Sequence, residues 1–280
     1  MNVTLWGTRG SLATPGAQTA RYGGNTSCVG VIGRDGTVLV LDAGTGIRGL
    51  GMTIPPTVRR VDILLTHLHM DHIQGLGFFS PLYRADLEVH IWGPVSSHIS
   101  LRERLMRYLS PPLFPVSLRE LPCMISLHDV PCGEVPIGEF RVSAALVCHP
   151  GPTVGYRITD AQGSVLTYLP DHEPALGASP FPSLPLAWTS GGALAANANL
   201  LIHDSQYSAA EYRSHVGWGH SSFMDALAFA ALSEVKHLVP FHHDPSHTDT
   251  DIDRLMQEAM AEARPACRVT TALEGATFQI

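Results

Sequence analysis

Lysine is nearly missing from this chain. Of its 18 lysine and arginine residues only Lys236 is a lysine, and just 15% of the 280 residues are charged, for a net charge of −7 with histidine neutral. That balance argues against a protein that coats nucleic acid through a broad positive field, and leaves room only for a local basic patch. No apolar run approaches the ~18–20 residues needed to cross a bilayer, so no membrane contact is expected. The opening residues, Met1 to Trp6, read as a strand rather than a basic segment followed by an apolar one, so no signal peptide is expected. Cysteines are few and odd in number (Cys28, Cys123, Cys132, Cys148 and Cys267), with no C-x-x-C spacing. A disulfide framework is therefore not expected, and buried free thiols in a cytoplasmic protein are. Repeats, low-complexity blocks and charged tails are also absent. With 45% hydrophobic residues, what remains is an ordered chain long enough for a substantial core.

Histidine is what the chain has in excess, with 15 residues. Around it, apolar alternation and glycine turns predict short strands near 3–6, 28–32, 38–41, 61–65 and 88–92 in the first third. Further strands are expected near 140–147, 154–158, 165–168, 200–203, 237–241, 268–271 and 276–280. Helices are expected over 71–79 with Asp71 as cap, 100–109 ending at Pro111-Pro112, 221–233 with Ser221 as cap, and 248–263. Strands in runs with helices in both halves predict an α+β fold of two mainly antiparallel sheets, stacked and flanked by helices. No linker divides the chain, so one domain over 1–280 is expected. The proline-rich stretch near 97–122 is either a lid over a cleft or a helix packed on the core or on a second subunit.

The sharpest feature is Thr66-His67-Leu68-His69-Met70-Asp71-His72, placed between an apolar strand and a helix. His67 and His69 are two apart and project the same way from extended backbone, while Asp71 and His72 fall on the turn into the helix and face a second point. One segment thus offers two ligands to each of two metal ions. Imidazole nitrogen with carboxylate oxygen suits zinc, and also manganese or iron.

These residues resemble the H-x-H-x-D-H signature of the metallo-β-lactamase superfamily, whose fold is an αββα four-layer sandwich. Further segments match that family in order. Asp42, in Leu41-Asp42-Ala43-Gly44, corresponds to an aspartate that buttresses the ligand histidines from behind. His149, in Cys148-His149-Pro150, corresponds to the third ligand of one ion; Asp171, in Leu169-Pro170-Asp171, to a carboxylate bridging both; and His242, after Val239-Pro240-Phe241, to the last ligand of the other. The resemblance implies His67, His69 and His149 on one ion, Asp71, His72 and His242 on the second, and Asp171 between. His243 sits beside His242 and competes for its place; the family position favours His242. Histidine rather than glutamate at position 69, without a flavodoxin-like partner domain, points to hydrolysis rather than diiron redox chemistry.

Two later segments, His203-Asp204-Ser205-Gln206-Tyr207 and Gly217-Trp218-Gly219-His220-Ser221-Ser222, are similar to motifs of the phosphodiesterase branch that includes tRNase Z. The resemblance implies that His220 protonates a leaving alkoxide while Asp204 orients it, that Asp71 helps orient the attacking water, and that Ser221 meets a phosphate at a helix start. Gly7 to Ser11 and Arg21 to Cys28 resemble small bacterial cyclic-phosphate phosphodiesterases; there Arg21, Asn25 and Thr26 either line the site or form a structural turn. The chain lacks the glycine- and proline-rich arm of tRNase Z, and His243-Asp244-Pro245-Ser246 follows His242 in place of that family's Phe-Ser-x-Arg/Gln-Tyr pattern. The resulting expectation is a dinuclear, zinc-type phosphodiesterase acting on a small substrate such as a cyclic nucleotide or other cyclic phosphate, with a homodimer implied by the resemblance. RNA 3′-end cleavage and a glyoxalase II or lactonase type of ester hydrolysis stand as alternatives.

Overall fold

The computed structural model describes residues 1–130, 133–178, 181 and 184–280; Cys132 lies outside them. Among the described residues there are fourteen strands. They are β1 (Asn2–Gly7), β2 (Cys28–Ile32), β3 (Val38–Leu41), β4 (Arg60–Leu64), β5 (Glu88–Pro94), β6 (Met124–Val130) and β7 (Gly133–Ile137), then β8 (Phe140–Leu146), β9 (Val154–Thr159), β10 (Val165–Leu169), β11 (Leu200–Asp204), β12 (His237–Phe241), β13 (Arg268–Val269) and β14 (Thr277–Gln279). They form two seven-stranded sheets, ordered β14-β1-β2-β3-β4-β5-β6 and β13-β12-β11-β10-β9-β8-β7.

Packing follows from side-chain alternation. In β3, Val38 and Val40 enter a core on the outer face of the first sheet, while Leu39 and Leu41 enter the core between the sheets. In β10, Leu166 and Tyr168 join that central core, and Val165 and Leu169 a third core beneath helices on the second sheet. Burial on both faces explains why these strands read as continuous apolar runs. The helices are α1 (Ile47–Gly51), α2 (Met70–Ile73), α3 (Leu101–Met106), α4 (Gly192–Ala195), α5 (Ala209–Tyr212), α6 (Phe223–Leu232) and α7 (Asp249–Ala263). The layers are thus α, β, β, α, as expected.

The sheets are not mainly antiparallel. In each, three adjacent pairs are antiparallel and three parallel. The parallel strands are linked by loops and short helices that apolar alternation does not register. The reading also missed β6 and β7, and its helix starts were off. Asp71 is not a cap: the helix it begins is α2, only four residues long, and its side chain turns elsewhere. Ser222, not Ser221, caps α6 through a reciprocal bond with Asp225.

The 97–122 segment packs on the core. Leu101, Leu105, Leu109 and Phe114 are buried against the first sheet, and the Tyr108 hydroxyl donates to the Gln74 carbonyl just past α2. Cys28 and Cys123 are buried free thiols, whereas Cys148 and Cys267 are half-buried. No helix among the described residues is long and apolar enough to cross a membrane.

Candidate metal centre

The residues singled out in the sequence gather at one rim of the sandwich, where strands end. Asp42 follows β3, His67 to His72 follow β4, His149 follows β8, Asp171 follows β10, Asp204 ends β11 and His242 follows β12. Carboxyl ends of adjacent parallel strands are the usual place for a site in such sheets, because chain reversals leave a crevice there.

Among the described residues donor atoms gather within 4.8 Å of one another in three groups: Asp204, His220 and His242, and two that share Asp171, namely His67, His69, His149 and Asp171, and Asp71, His72, His242 and Asp171. Asp171 divides its oxygens between them. Its Oδ2 lies 3.7 Å from both His67 Nε2 and His149 Nε2, and its Oδ1 lies 2.9 Å from His72 Nε2 and 3.3 Å from His242 Nε2. Asp71 Oδ2 faces His72 and His242 at 3.2 Å each and accepts the Ser11 backbone N–H.

The outer hydrogen bonds fix which imidazole nitrogen is bare. Thr66 spends its hydroxyl proton on Asp42, so it accepts from His67 Nδ1–H. His72 Nδ1–H donates to Asp42 at 2.8 Å, His149 Nδ1–H to the Gly219 carbonyl at 2.9 Å, and His242 Nδ1–H to Gln206 Oε1 at 2.9 Å. In all four, Nε2 is the nitrogen that points into the cluster. Asp42, wholly buried, also accepts the Thr66 N–H and the Tyr168 hydroxyl. Asp42 thus stands behind His72 directly and behind His67 through Thr66, with Tyr168 also bound to it. Thr66 stood inside the histidine motif, but Tyr168 had no sequence signal.

The arrangement fits divalent cations. His67 Nε2, His72 Nε2 and Asp171 Oδ1 are buried without any hydrogen-bond partner, a costly state unless a cation accepts their electron pairs. No arginine or lysine neutralises Asp42, Asp71, Asp171 or Asp204 among the described residues. Burial lowers the pKa of His67, His69 and His149, which keeps these imidazoles neutral, as ligation requires. Burial also disfavours a charged His72, but Asp171, Asp71 and Asp42 outweigh it and raise its pKa. Those carboxylates call for positive charge at that point.

His243 is not part of the cluster. Its Nε2–H donates to the Ala272 carbonyl, and burial pushes its pKa down to about 3. His242 adopts a left-handed backbone, φ 64°, which turns consecutive histidines to opposite sides. Gly10 is needed beside it, since a Cβ there would stand 2.4 Å from His242 Nδ1.

Beside the two groups, Asp204 Oδ2 lies 2.7 Å from His220 Nδ1. Burial alone would lower the His220 pKa, but Asp204, then Asp171 and Asp71, raise it to about 9. Asp204 also accepts backbone N–H groups of His172, Gln206 and Ser221. Ser221 is a correction: its hydroxyl donates to the His172 carbonyl at 2.6 Å and its N–H to Asp204, so no donor is left for a phosphate. Of the early turn residues, Arg21 pairs with Asp253 at the surface, Asn25 binds Glu274, and Thr26 binds Thr45; they form a structural turn. Arg9, unremarked in the sequence, is fully buried and donates to the carbonyls of Gly23, Asp244 and His247, clamping the loop after β12.

A family model described as a β-lactamase superfamily domain matches residues 37–243, well over half of the chain. The chain belongs to the metallo-β-lactamase superfamily. It is a metal-dependent hydrolase of that superfamily. Curated relatives include a ribonuclease Z from Streptococcus suis (strain 98HAH33), 29% identical over 276 residues and covering 79% of this chain and 84% of the relative. Another is a ribonuclease Z from Brevibacillus brevis (strain 47), 27% identical and covering 94% and 92%. Among solved structures, the metallo-β-lactamase fold protein YhfI from Bacillus subtilis superposes with a TM-score of 0.70 at 18% identity over 99% of both chains. Human tRNase Z, short form, gives 0.68 at 23% over 100% and 99%. A diphosphatase of the PhnP family gives 0.69 at 16% over 100% and 97%. These likenesses establish the fold.

Proposed function

We propose that this chain is a dinuclear metal-dependent phosphodiesterase that hydrolyses a small phosphodiester, a cyclic nucleotide or another cyclic phosphate. The observation that carries this reading is Asp171, with one oxygen turned to each of two donor groups, beside the Asp204–His220 pair. In this reading His67, His69 and His149 would hold one ion and Asp71, His72 and His242 the other, with Asp171 serving both. Nitrogen and oxygen donors support zinc, with manganese or iron also suited. Bound there, the ions supply Lewis-acid activation of water and neutralise the phosphodiester charge.

The protein's own groups do the rest. Asp71, held by the Ser11 N–H, orients the attacking water. Asp204 fixes His220 with its proton on Nδ1, so that Nε2 faces outward, and its charge favours the imidazolium that gives a proton to the leaving alkoxide. The whole span 1–280 acts as one hydrolase domain, working as a cytoplasmic homodimer.

The curated relatives named ribonuclease Z favour a second reading, cleavage of RNA 3′ ends. A net charge of −7 and a single lysine support the small substrate instead. Zinc- or manganese-loaded protein assayed against cyclic nucleotides, bis(p-nitrophenyl) phosphate and precursor tRNA separates the two. Turnover of the small diesters alone is expected. Cleavage of tRNA alone replaces this reading with the second, and no turnover of any phosphodiester overturns both.

A further inference from the structure

A cavity of about 350 Å³ opens beside His220. Ser11, Tyr207, His215 and Trp218 line it together with Glu211 and Asp244, and no lysine or arginine does. His220, 9% exposed, forms its inner wall; its Nδ1 is bound to Asp204 while its Nε2 makes no hydrogen bond. Aromatic rings line one side in a row. Trp218 meets His215 edge-on at 4.8 Å, His215 stacks on Tyr207 at 4.5 Å, and Tyr207 meets His220 at 6.0 Å.

Trp218 is 61% exposed, yet its backbone is clamped. The N–H groups of Gly217 and Gly219 on either side of it both donate to the buried Glu173 carboxylate, and its own N–H donates to the His215 carbonyl. A large indole on a clamped backbone, with most of its surface in water, offers a face for stacking on a planar partner. Two carboxylates share the lining. Burial alone would raise the Glu211 pKa, but bonds from His247 and Ser208 hold it at about 2, so it is ionised. Asp244 is held by Gln206 Nε2 and by Ser246.

Resting on the phosphodiesterase reading, we propose that this cavity seats the leaving group, and that it takes a nucleoside, stacked on Trp218, and rejects a leaving group that carries a second phosphate. A base supplies the planar face, and its amino group or the sugar hydroxyls donate to the carboxylates. A further phosphate on the side away from His220 meets the like charge of Glu211 and Asp244.

Three substrates test this on metal-loaded protein: a 2′,3′-cyclic nucleotide, the same nucleotide bearing a 5′-phosphate, and glycerol 1,2-cyclic phosphate, which has no base. Trp218→Ala is expected to raise KM for the cyclic nucleotide roughly five- to 100-fold and to leave that for the glycerol ester unchanged, with Trp218→Phe restoring most of the loss. The 5′-phosphate is expected to lower kcat/KM roughly tenfold or more. Glu211→Gln with Asp244→Asn, which keep the side chains' size and remove their charge, should remove most of that penalty. Equal KM changes on both cyclic esters, or tolerance of the 5′-phosphate, overturn the proposal. Calorimetry of adenosine binding to EDTA-treated protein adds a readout without turnover. Binding that Trp218→Ala abolishes supports the site even if no ester is hydrolysed, an outcome in which only the phosphodiesterase reading falls. Absence of binding, or binding indifferent to Trp218, overturns the site.

Discussion

Asp204 and His220 stand sixteen positions apart, and their side chains meet at 2.7 Å at the mouth of the metal cluster. The carboxylate is locked by three backbone N–H donors, so its direction is set before any substrate arrives. The imidazole lies within stacking distance of His242 at 5.0 Å and edge-on to His149 at 5.1 Å. In the proposed reaction His220 gives its proton to the leaving group, so its importance would scale with the basicity of the departing oxygen.

The first prediction follows. His220→Ala is expected to retain metal and fold but to slow hydrolysis of an alkyl phosphodiester by roughly 10²–10⁴. For p-nitrophenolate, which departs without protonation, the loss should be far smaller. Comparing kcat for the two esters checks this, and matching losses rule out a proton-donor role.

Asp171→Ala tests the shared carboxylate. The variant removes the carboxylate that the two sets of donors share, 2.9 Å from His72 Nε2 and 3.7 Å from His67 Nε2. Metal content measured by atomic emission should fall from about two ions per chain to one or fewer, in line with loss of a charged ligand. A fully loaded, active variant defeats the bridging assignment.

Asp42 probes the support behind the ligands. Replacing it by Asn keeps its size but sets an amide N–H against the Thr66 and His72 donors. Metal affinity is expected to weaken about 10- to 100-fold, read by competition with a chromogenic chelator. Unchanged affinity means that Thr66 and Tyr168 alone suffice to orient the histidines.

Much of the site was legible because its chemistry is dense in sequence. His67, His69, Asp71 and His72 lie within six residues, and the isolated members Asp42, His149, Asp171 and His242 each follow an apolar strand that could be read. What stayed hidden acts over distance. Arg9 and Gln206 stood inside family-like segments and Glu173 outside them, but nothing local marks what any of the three does, because their partners lie far off in the chain. The choice between His242 and His243 rests on a positive φ, a backbone property with no side-chain signature at that position. The fold shows the same division. Apolar alternation revealed most of the strands, but not β6, where the outer positions carry Met124, Ser126 and a half-buried His128 and only half-buried Ile125 and Leu127 lie between them, nor the parallel order, which depends on connections rather than on the strands themselves.

Acid lability is the last prediction, and it comes from a buried hydrogen-bonded rail behind the site. His203 Nδ1–H donates to the Asp204 carbonyl at 2.7 Å, which leaves His203 Nε2 to accept from His172 Nδ1–H at 2.9 Å; His172 Nε2 in turn accepts from the Ser190 hydroxyl at 3.1 Å. Every position in this rail is assigned, so a proton added to His203 sets two N–H groups against each other. Burial lowers the His203 pKa to about 4, despite the opposing pull of Asp204. In the unfolded chain the imidazole titrates near 6.5. Between these values the unfolded state binds a proton that the folded state does not. Stability is therefore fully present above about pH 6.5 and falls as the pH drops toward 4, by about 3 kcal/mol from this residue. Urea midpoints measured from pH 7.5 to 4.5 in EDTA, so that metal release does not contribute, should fall steeply for the native sequence and less steeply for His203→Gln. Parallel slopes mean that His203 takes no part in the acid response.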